Sequence, residues 1–256
     1  MDEATAKAAR AEFHTFVRWF NKNVGLHPII IGGWAVDYYN DYFGSKDIDV
    51  IFEGTKDVYE RRLLQFLDAN GYRPERTDAY TETFKKRLSV GGKNVEIDID
   101  AADTATVNQF HADLSISIPY SLCSKHSLEL SSDKMIYRIP RLELLLAYKI
   151  KAYHDRDFEV SQPETARQGL VGYYASKRDK DGSDIIALLD SRQFRHDAIF
   201  DDGFMGNLVR DHGFKAQARE VFDNIQDRPG SRHLYSRIED KARLILLSDF
   251  SGRIFK

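Results

Sequence analysis

Apolar residues recur at Phe13, Phe16, Val17 and Phe20, spaced i, i+3, i+4 and i+7. That period predicts an amphipathic helix over Glu3–Asn23 with an aromatic face turned to a core. His27-Pro28 interrupts the pattern, and the β-branched run Ile29-Ile30-Ile31 predicts a short buried strand. Gly32-Gly33 then leads into a helix expected over Trp34–Tyr42, ended by Gly44-Ser45. Asp47-Ile48-Asp49-Val50-Ile51-Phe52 alternates as a second strand. Lys56–Ala69 reads as a helix stopped by Asn70-Gly71, and Thr83–Val90 and Asn94–Asp100 read as strands around the turn Gly91-Gly92. The order α-β-α-β-α-β-β predicts an α/β (α+β) fold, a mixed sheet with helices packed on it. Leu114–Ile118, Ser127–Leu130 and Met135–Ile139 are shorter strand candidates, the last two forming a hairpin.

After Pro140 the period changes. Leu142, Leu145, Leu146, Ile150 and Tyr153 fall near one face of a helix over Arg141–Arg156. Helical patterns return over Asp181–Leu189 and His233–Phe250, while Asp157–Ser176 reads as a loop or short-helix insertion. The pattern thus divides the chain into a mixed α/β domain, residues 1–140, and a helical domain, residues 141–256.

Composition narrows the function classes. The 256 residues carry 37 Lys+Arg against 40 Asp+Glu, a formal net charge of -3, which excludes a strongly basic nucleic-acid coat and leaves a local basic groove open. The single cysteine, Cys123, makes neither an intramolecular disulfide nor a cysteine-based metal site, and suits a reducing compartment. No apolar run is long enough for a membrane span, and the acidic start Met1-Asp2-Glu3 lacks the apolar core of a signal peptide. The expectation is a cytoplasmic protein with no membrane partner.

Candidate chemistry concentrates in three pieces. Gly32-Gly33, between a strand and a helix, lets the backbone turn sharply and brings helix N–H groups close to a phosphate; glycine pairs also serve as plain turns. On a strand, Asp47 and Asp49 project to the same face. Aspartate is a poor strand former and two neighbouring carboxylates repel, so the pair implies either a compensating cation or a solvent-facing strand edge. In Val95-Glu96-Ile97-Asp98-Ile99-Asp100 the apolar and acidic residues alternate strictly. If this strand lies beside the first, one of its carboxylates completes a hard oxygen site suited to magnesium brought in with nucleotide phosphates. An acidic outer face would show the same alternation.

Gly32-Gly33, thirteen intervening residues, Asp47-Ile48-Asp49 and a later acidic strand together resemble the nucleotidyltransferase superfamily of the polymerase-beta type. The family motif is a glycine pair, a helix, an Asp-x-Asp strand and a third carboxylate on a following strand. Gly33 stands where many members carry serine. The resemblance implies a nucleotidyltransferase sheet followed by a helical domain, and transfer of a nucleoside monophosphate from an NTP to an acceptor hydroxyl with release of pyrophosphate. It implies Mg2+, or Mn2+, held by Asp47, Asp49, Asp98 and Asp100. Asp98 is the first choice for the third catalytic carboxylate beside Asp47 and Asp49, then Asp100, then Glu96.

The segments Leu144–Ala152, Arg156 and Lys180–Leu189 resemble the C-terminal helices of the abortive-infection type nucleotidyltransferase toxins and related transferases, and the likeness spans Ile29–Leu189. It implies that Lys149 and Asp181 join Gly32, Gly33 and Ser45 at the nucleotide. Lys149 falls on the apolar stripe of its helix, so it either points into a cleft or forms an ion pair with Asp181 and Asp184. Acceptors consistent with the resemblance are tRNA, a protein or a small antibiotic-like molecule. A toxin would bring a partner antitoxin. The alternative is a non-catalytic nucleotide-binding module that keeps the fold. Ser45 bonds phosphate or caps its turn; Lys85 and Arg87 share one strand face, toward either phosphates or solvent. Trp34, Tyr38, Tyr39 and Tyr42 read as core aromatics.

Overall fold

The computed structural model describes residues 2–42, 44–54, 56–76, 82–227 and 235–255. They form two compact units: Met1–Asp37, Gly44–Thr106 and Tyr120–Arg141 in the first, and Tyr38–Phe43, Val107–Pro119 and Leu142–Lys256 in the second. The chain passes between units at Arg141/Leu142, near the expected Pro140. It also lends two earlier segments to the second unit.

The first unit holds α1 (Glu3–Asn23), β1 (Ile29–Ile30), the start of α2 (Gly32–Tyr39), β2 (Ile48–Phe52), α3 (Lys56–Ala69), β3 (Arg73–Arg76), β4 (Glu82–Val90), β5 (Lys93–Asp103), α4 (Leu122–Lys125), β6 (Ser127–Ser132) and β7 (Met135–Pro140). Among the described residues the strands make one mixed sheet in the order β3-β4-β5-β2-β1-β7-β6. Strands β2 and β5 run parallel, with Ile48 beside Ile99 and Asp49 beside Asp100. Strand β4 pairs antiparallel with β5, placing Lys85 opposite Asp98 and Arg87 opposite Glu96, and Arg73 of β3 lies opposite Lys85.

One sheet face is apolar because alternation puts Ile48, Val50 and Phe52 of β2 and Val95, Ile97 and Ile99 of β5 on it, all buried. Helices α1 and α3 supply its aromatic cover. Phe52 packs on Phe20 at 4.9 Å and stacks on Tyr59 at 4.5 Å between ring centres, and Phe16 meets Phe66 edge-on at 5.2 Å. Each such buried ring contributes about 1.5–3 kcal/mol, enough to fix the register and so to fix which residues face the other way. Asp2 caps α1, accepting from the Thr5 N–H at 2.8 Å.

The second unit holds α5 (Leu142–Ser161), α6 (Pro163–Arg167), α7 (Val171–Leu189), α8 (Asp202–Asp211), α9 (Lys215–Asp227) and α10 (Asp240–Ile254). Its core includes the stack of Phe222 on Phe250, 5.1 Å between ring centres. Every residue from Leu142 to Ile150 is buried, so α5 is enclosed on all sides rather than amphipathic.

Several expectations need correction. Leu114–Ile118 is not a strand; it makes an isolated bridge, Gln109 to Ser117, and loop hydrogen bonds such as Phe110 N–H to the Ile116 carbonyl at 2.9 Å. The insertion at 157–176 is largely helical, completing α5, forming α6 and opening α7. Helix α2 ends at Tyr39 rather than Tyr42. Strand β3 was not foreseen. The helix expected over 233–250 is observed as Asp240–Ile254, and 233 and 234 lie outside the described residues. No helix among the described residues is long and apolar enough to cross a membrane.

Candidate active site

The burial of Ile48, Val50 and Phe52 on one face leaves Asp49 on the other, with Asp47 two positions before it, just ahead of β2. Strand β5 follows the same rule, and turns Glu96, Asp98 and Asp100 away from Val95, Ile97 and Ile99. The parallel register joins the two sets. Asp49 is the direct neighbour of Asp100, and the same register carried one step back brings Asp47 beside Asp98. Asp49 and Asp100 are thus direct neighbours on one sheet face, with Asp98 two residues earlier on β5 and Asp47 in the bend that enters β2. Asp47, Asp49 and Asp98 are half-buried and Asp100 is exposed.

Gly32 is locked against this row. Its φ is +64°, a left-handed value that favours glycine, and a Cβ built on it would collide with Oδ2 of Asp49. The neighbouring Ile31 N–H donates to the Asp49 carbonyl at 2.9 Å. Asp49 is thus pressed against the first residue of α2, where the N–H groups of a helix's first turn favour negative charge. Gly33 follows within α2. Of the two glycines, Gly32 is the one held by a positive φ and close approach. Ser45 is buried, and its hydroxyl donates to the Asp47 carbonyl at 3.1 Å. It closes the turn that delivers Asp47 into the strand.

Glu96 stands apart from the row's other members. It accepts from Lys85 Nζ at 2.9 Å and from Arg87 Nε at 3.2 Å. Those two contacts hold its carboxyl below the usual carboxylate range, led by the bond from Lys85. Its charge is shared with β4, and Asp100 is the β5 carboxylate registered against Asp49.

The donor set bears on a divalent cation. All four groups are hard carboxylate oxygens, the type that suits Mg2+ or Mn2+ rather than a soft thiolate metal. They are neighbours by register, yet no three His, Cys, Asp or Glu side chains among the described residues converge closely enough to hold an ion. The carboxylates match such an ion in kind.

Lys149 and Asp181 lie in the second unit, in a different setting. Lys149 Nζ sits 3.0 Å from Asp181 Oδ1 and 2.6 Å from Asp184 Oδ2. Arg156 also pairs with Asp181, and Lys180 reaches Asp184 at 3.3 Å. Both aspartates are 1% exposed and Lys149 7%. Burial alone would raise the Asp184 carboxyl, but the adjacent Lys149 and Lys180 ammonium groups override it and hold it well below its ordinary value. The hydroxyl of Tyr42 bonds to Asp184, and burial together with that carboxylate pushes the phenol well above its usual range. The ion-pair alternative for Lys149 is therefore the one the structure displays. The part of Tyr42 in it was missed, because nothing in the local aromatic run signals a carboxylate so distant in sequence.

No family model matches the chain, and no curated protein matches it. Among solved structures it is similar to an antigenic nucleotidyltransferase-like protein from Paracoccidioides brasiliensis, at 13% identity over 86% of this chain and 94% of that one, with a TM-score of 0.41. It is similar to an H. pylori protein assigned to the nucleotidyltransferases, at 11% identity over 100% of this chain and 96% of that one, TM-score 0.46. A third is the antibiotic-resistance factor ANT(2'')-Ia, at 16% identity over 68% of this chain and 90% of that one, TM-score 0.37. These likenesses are distant, and the functional reading stands on the strand carboxylates themselves.

Proposed function

We propose that the protein is a metal-dependent nucleotidyltransferase. The observation that carries this reading is the juxtaposition of Gly32 and Asp49. A backbone turn that excludes any side chain stands against a strand aspartate whose register neighbour, Asp100, is a second carboxylate. A merely solvated acidic strand has no need of such a close approach.

Asp47 and Asp49 are the residues that would hold Mg2+ or Mn2+, with Asp98 and Asp100 from β5. Held there, such an ion would supply positive charge against that developing at the α-phosphate. The first turn of α2, entered through Gly32-Gly33, offers backbone N–H groups to the triphosphate. Ser45 fixes the turn before Asp47. Asp98, on the strand next to the pair, would accept the acceptor hydroxyl's proton as its oxygen attacks the α-phosphorus. A new P–O bond forms, the bond to the β-phosphate oxygen breaks, and pyrophosphate leaves. Lys149 and Asp181 are ion-paired within the second unit.

Incubation with each of the four NTPs labelled at the α-phosphate, with Mg2+ or Mn2+ and candidate RNA, protein and small-molecule acceptors, tests the reading. Label should pass to an acceptor with equimolar pyrophosphate, and Asp49→Ala should abolish it. Label that stays on NTP under every condition, in a protein that still binds NTP, would leave a binding module instead. A toxin role predicts growth arrest on induction, relieved by Asp49→Ala.

A further inference from the structure

The two edges of the sheet are built differently. Strand β3 closes one side as the four residues Arg73–Arg76, with Pro74 and two arginines in the run. Shortness, proline and charge are the means by which an edge strand is kept from pairing with another chain. Strand β6 closes the other side with six residues, Ser-Leu-Glu-Leu-Ser-Ser, among them no proline and a single charge, Glu129. Its register against β7 runs from Ser127–Pro140 to Ser132–Met135 without a bulge. The hairpin turns through Asp133-Lys134, whose φ values of 51° and 64° match the twist of the flanking strands.

The outer side of β6 has a defined hydrogen-bonding phase. The His126 carbonyl accepts from the Arg141 N–H at 2.8 Å just ahead of the strand. Alternation along the antiparallel pair then turns the N–H and C=O groups of Leu128, Leu130 and Ser132 toward β7. Those of Ser127, Glu129 and Ser131 turn outward, and Glu129 and Ser131 are exposed. The side chains add an apolar margin. Leu128 and Leu130 lie opposite Ile139 and Tyr137. They share the face on which Ile139 is buried and Tyr137 meets Phe13 of α1 edge-on at 5.5 Å. At that margin Leu128 is 43% exposed.

We propose that β6 is a pairing edge for a second copy of this chain, which joins antiparallel across a two-fold axis at Leu130 and makes one continuous sheet of the two. A two-fold axis through such a pair sets one residue opposite its own copy. An axis at Glu129 opposes two carboxylates, and one at Ser131 opposes Glu129 to Asp133; like charges directly opposite are unfavourable. An axis nearer either end leaves half of the strand unpaired. With the axis at Leu130 the two leucines meet as the close, non-hydrogen-bonded pair, and Leu128 faces Ser132. Glu129 and Ser131, whose backbone groups turn outward, then exchange N–H···O bonds with Ser131 and Glu129 of the second copy. Hydrogen-bonding phase, charge and apolar residues select the same register, and this self-complementarity favours a second copy over an unrelated extended peptide. The two β2 strands would lie seven strand spacings apart, roughly 34 Å, with both Asp49 positions on one face of the joined sheet.

Sedimentation velocity of the full chain across the micromolar range tests this. The wild type should show a reversible, concentration-dependent monomer–dimer equilibrium. Ser131→Pro removes an N–H that points away from β7, so the hairpin keeps its own bonds while the dissociation constant should rise about tenfold. Its melting temperature is recorded alongside. Where the proline disturbs the hairpin, charge variants at the same exposed position decide. Ser131→Glu, set opposite Glu129 of the second copy, should weaken the dimer about fivefold, and Ser131→Lys should tighten it about fivefold. Leu130→Cys should cross-link to its own copy on mild oxidation, since the paired Cβ atoms stand about 5 Å apart. Glu129→Cys should not, and the buried Cys123 takes no part. A wild type that is monomeric throughout, a dimer that every Ser131 variant leaves unchanged, or cross-linking through Glu129→Cys in preference to Leu130→Cys would each overturn the proposal.

Discussion

Two groups of aspartates in this molecule sit in opposite circumstances. Asp181 and Asp184 of the helical unit are almost wholly buried, and each faces two cations: Lys149 and Arg156 for the first, Lys149 and Lys180 for the second. Asp47, Asp49, Asp98 and Asp100 of the sheet unit are half-buried or exposed. Asp49 and Asp100 are register neighbours, and Gly32 leaves room for Asp49. Matched, buried charge is what a helix pair needs in order to carry ions in its core. Carboxylates aligned with one another on residues that disfavour strands are tolerated where they bind something. The first group should govern stability, the second activity.

The largest expected effect separates these roles. Asp49→Asn should reduce nucleotidyl transfer on the order of 10³-fold, while its unfolding free energy in urea stays within about 1 kcal/mol of wild type. A large loss of stability with activity intact would reverse the comparison. The converse variant, Lys149→Met, leaves two buried carboxylates short of a cation and should cost about 3 kcal/mol of stability. Its transfer rate per folded molecule should be nearly unchanged; a selective rise in the KM for NTP would return Lys149 to the nucleotide site.

Gly32→Ala should act on both counts. The added Cβ collides with Asp49 and forces an unfavourable φ, for about 1–3 kcal/mol of strain and a transfer loss resembling that of Asp49→Asn. Melting and kinetics measured on one preparation check it. The smallest effect concerns acid. The Asp184 carboxyl is held below its ordinary value of 3.8 in the folded state. Its contribution to stability is therefore complete above about pH 4 and is withdrawn as the pH falls from there through the lowered folded value. Urea midpoints measured as the pH drops below 4 should fall less steeply in Asp184→Asn than in wild type; identical slopes would mean that the cluster does not set acid stability.

Much of the sheet unit was legible because its signals are local. Phe13, Phe16, Val17 and Phe20 mark a helix by period, and Val95, Ile97 and Ile99 mark a strand by alternation, so the opposite face carrying Asp98 and Asp100 followed at once. Strand β3 was not legible: Arg-Pro-Glu-Arg has no apolar alternation, and it is a strand only because β4 pairs with it at the sheet edge. The first half of α7, Val171–Lys180, lacks an apolar stripe and is helical through its place beside α5. The parallel pairing of Asp49 with Asp100 was a condition rather than a deduction, since sequence alternation says which way a residue points and not which strand lies beside it. Lys149 was ambiguous for a related reason. A lysine on an apolar stripe is compatible with a cleft or an ion pair, and the outcome depends on Asp181 and Asp184 arriving from another helix.

The most direct measurement is thermal melting of wild type and Asp49→Asn with Mg2+ and a non-hydrolysable NTP analogue, singly and together. If the strand carboxylates hold a metal-bound triphosphate, the pair should raise the wild-type Tm by several degrees, more than the sum of the two alone, as binding to the folded state requires. Asp49→Asn should show no such synergy. An equal rise in both proteins, or none in the wild type at saturating analogue, would contradict the account.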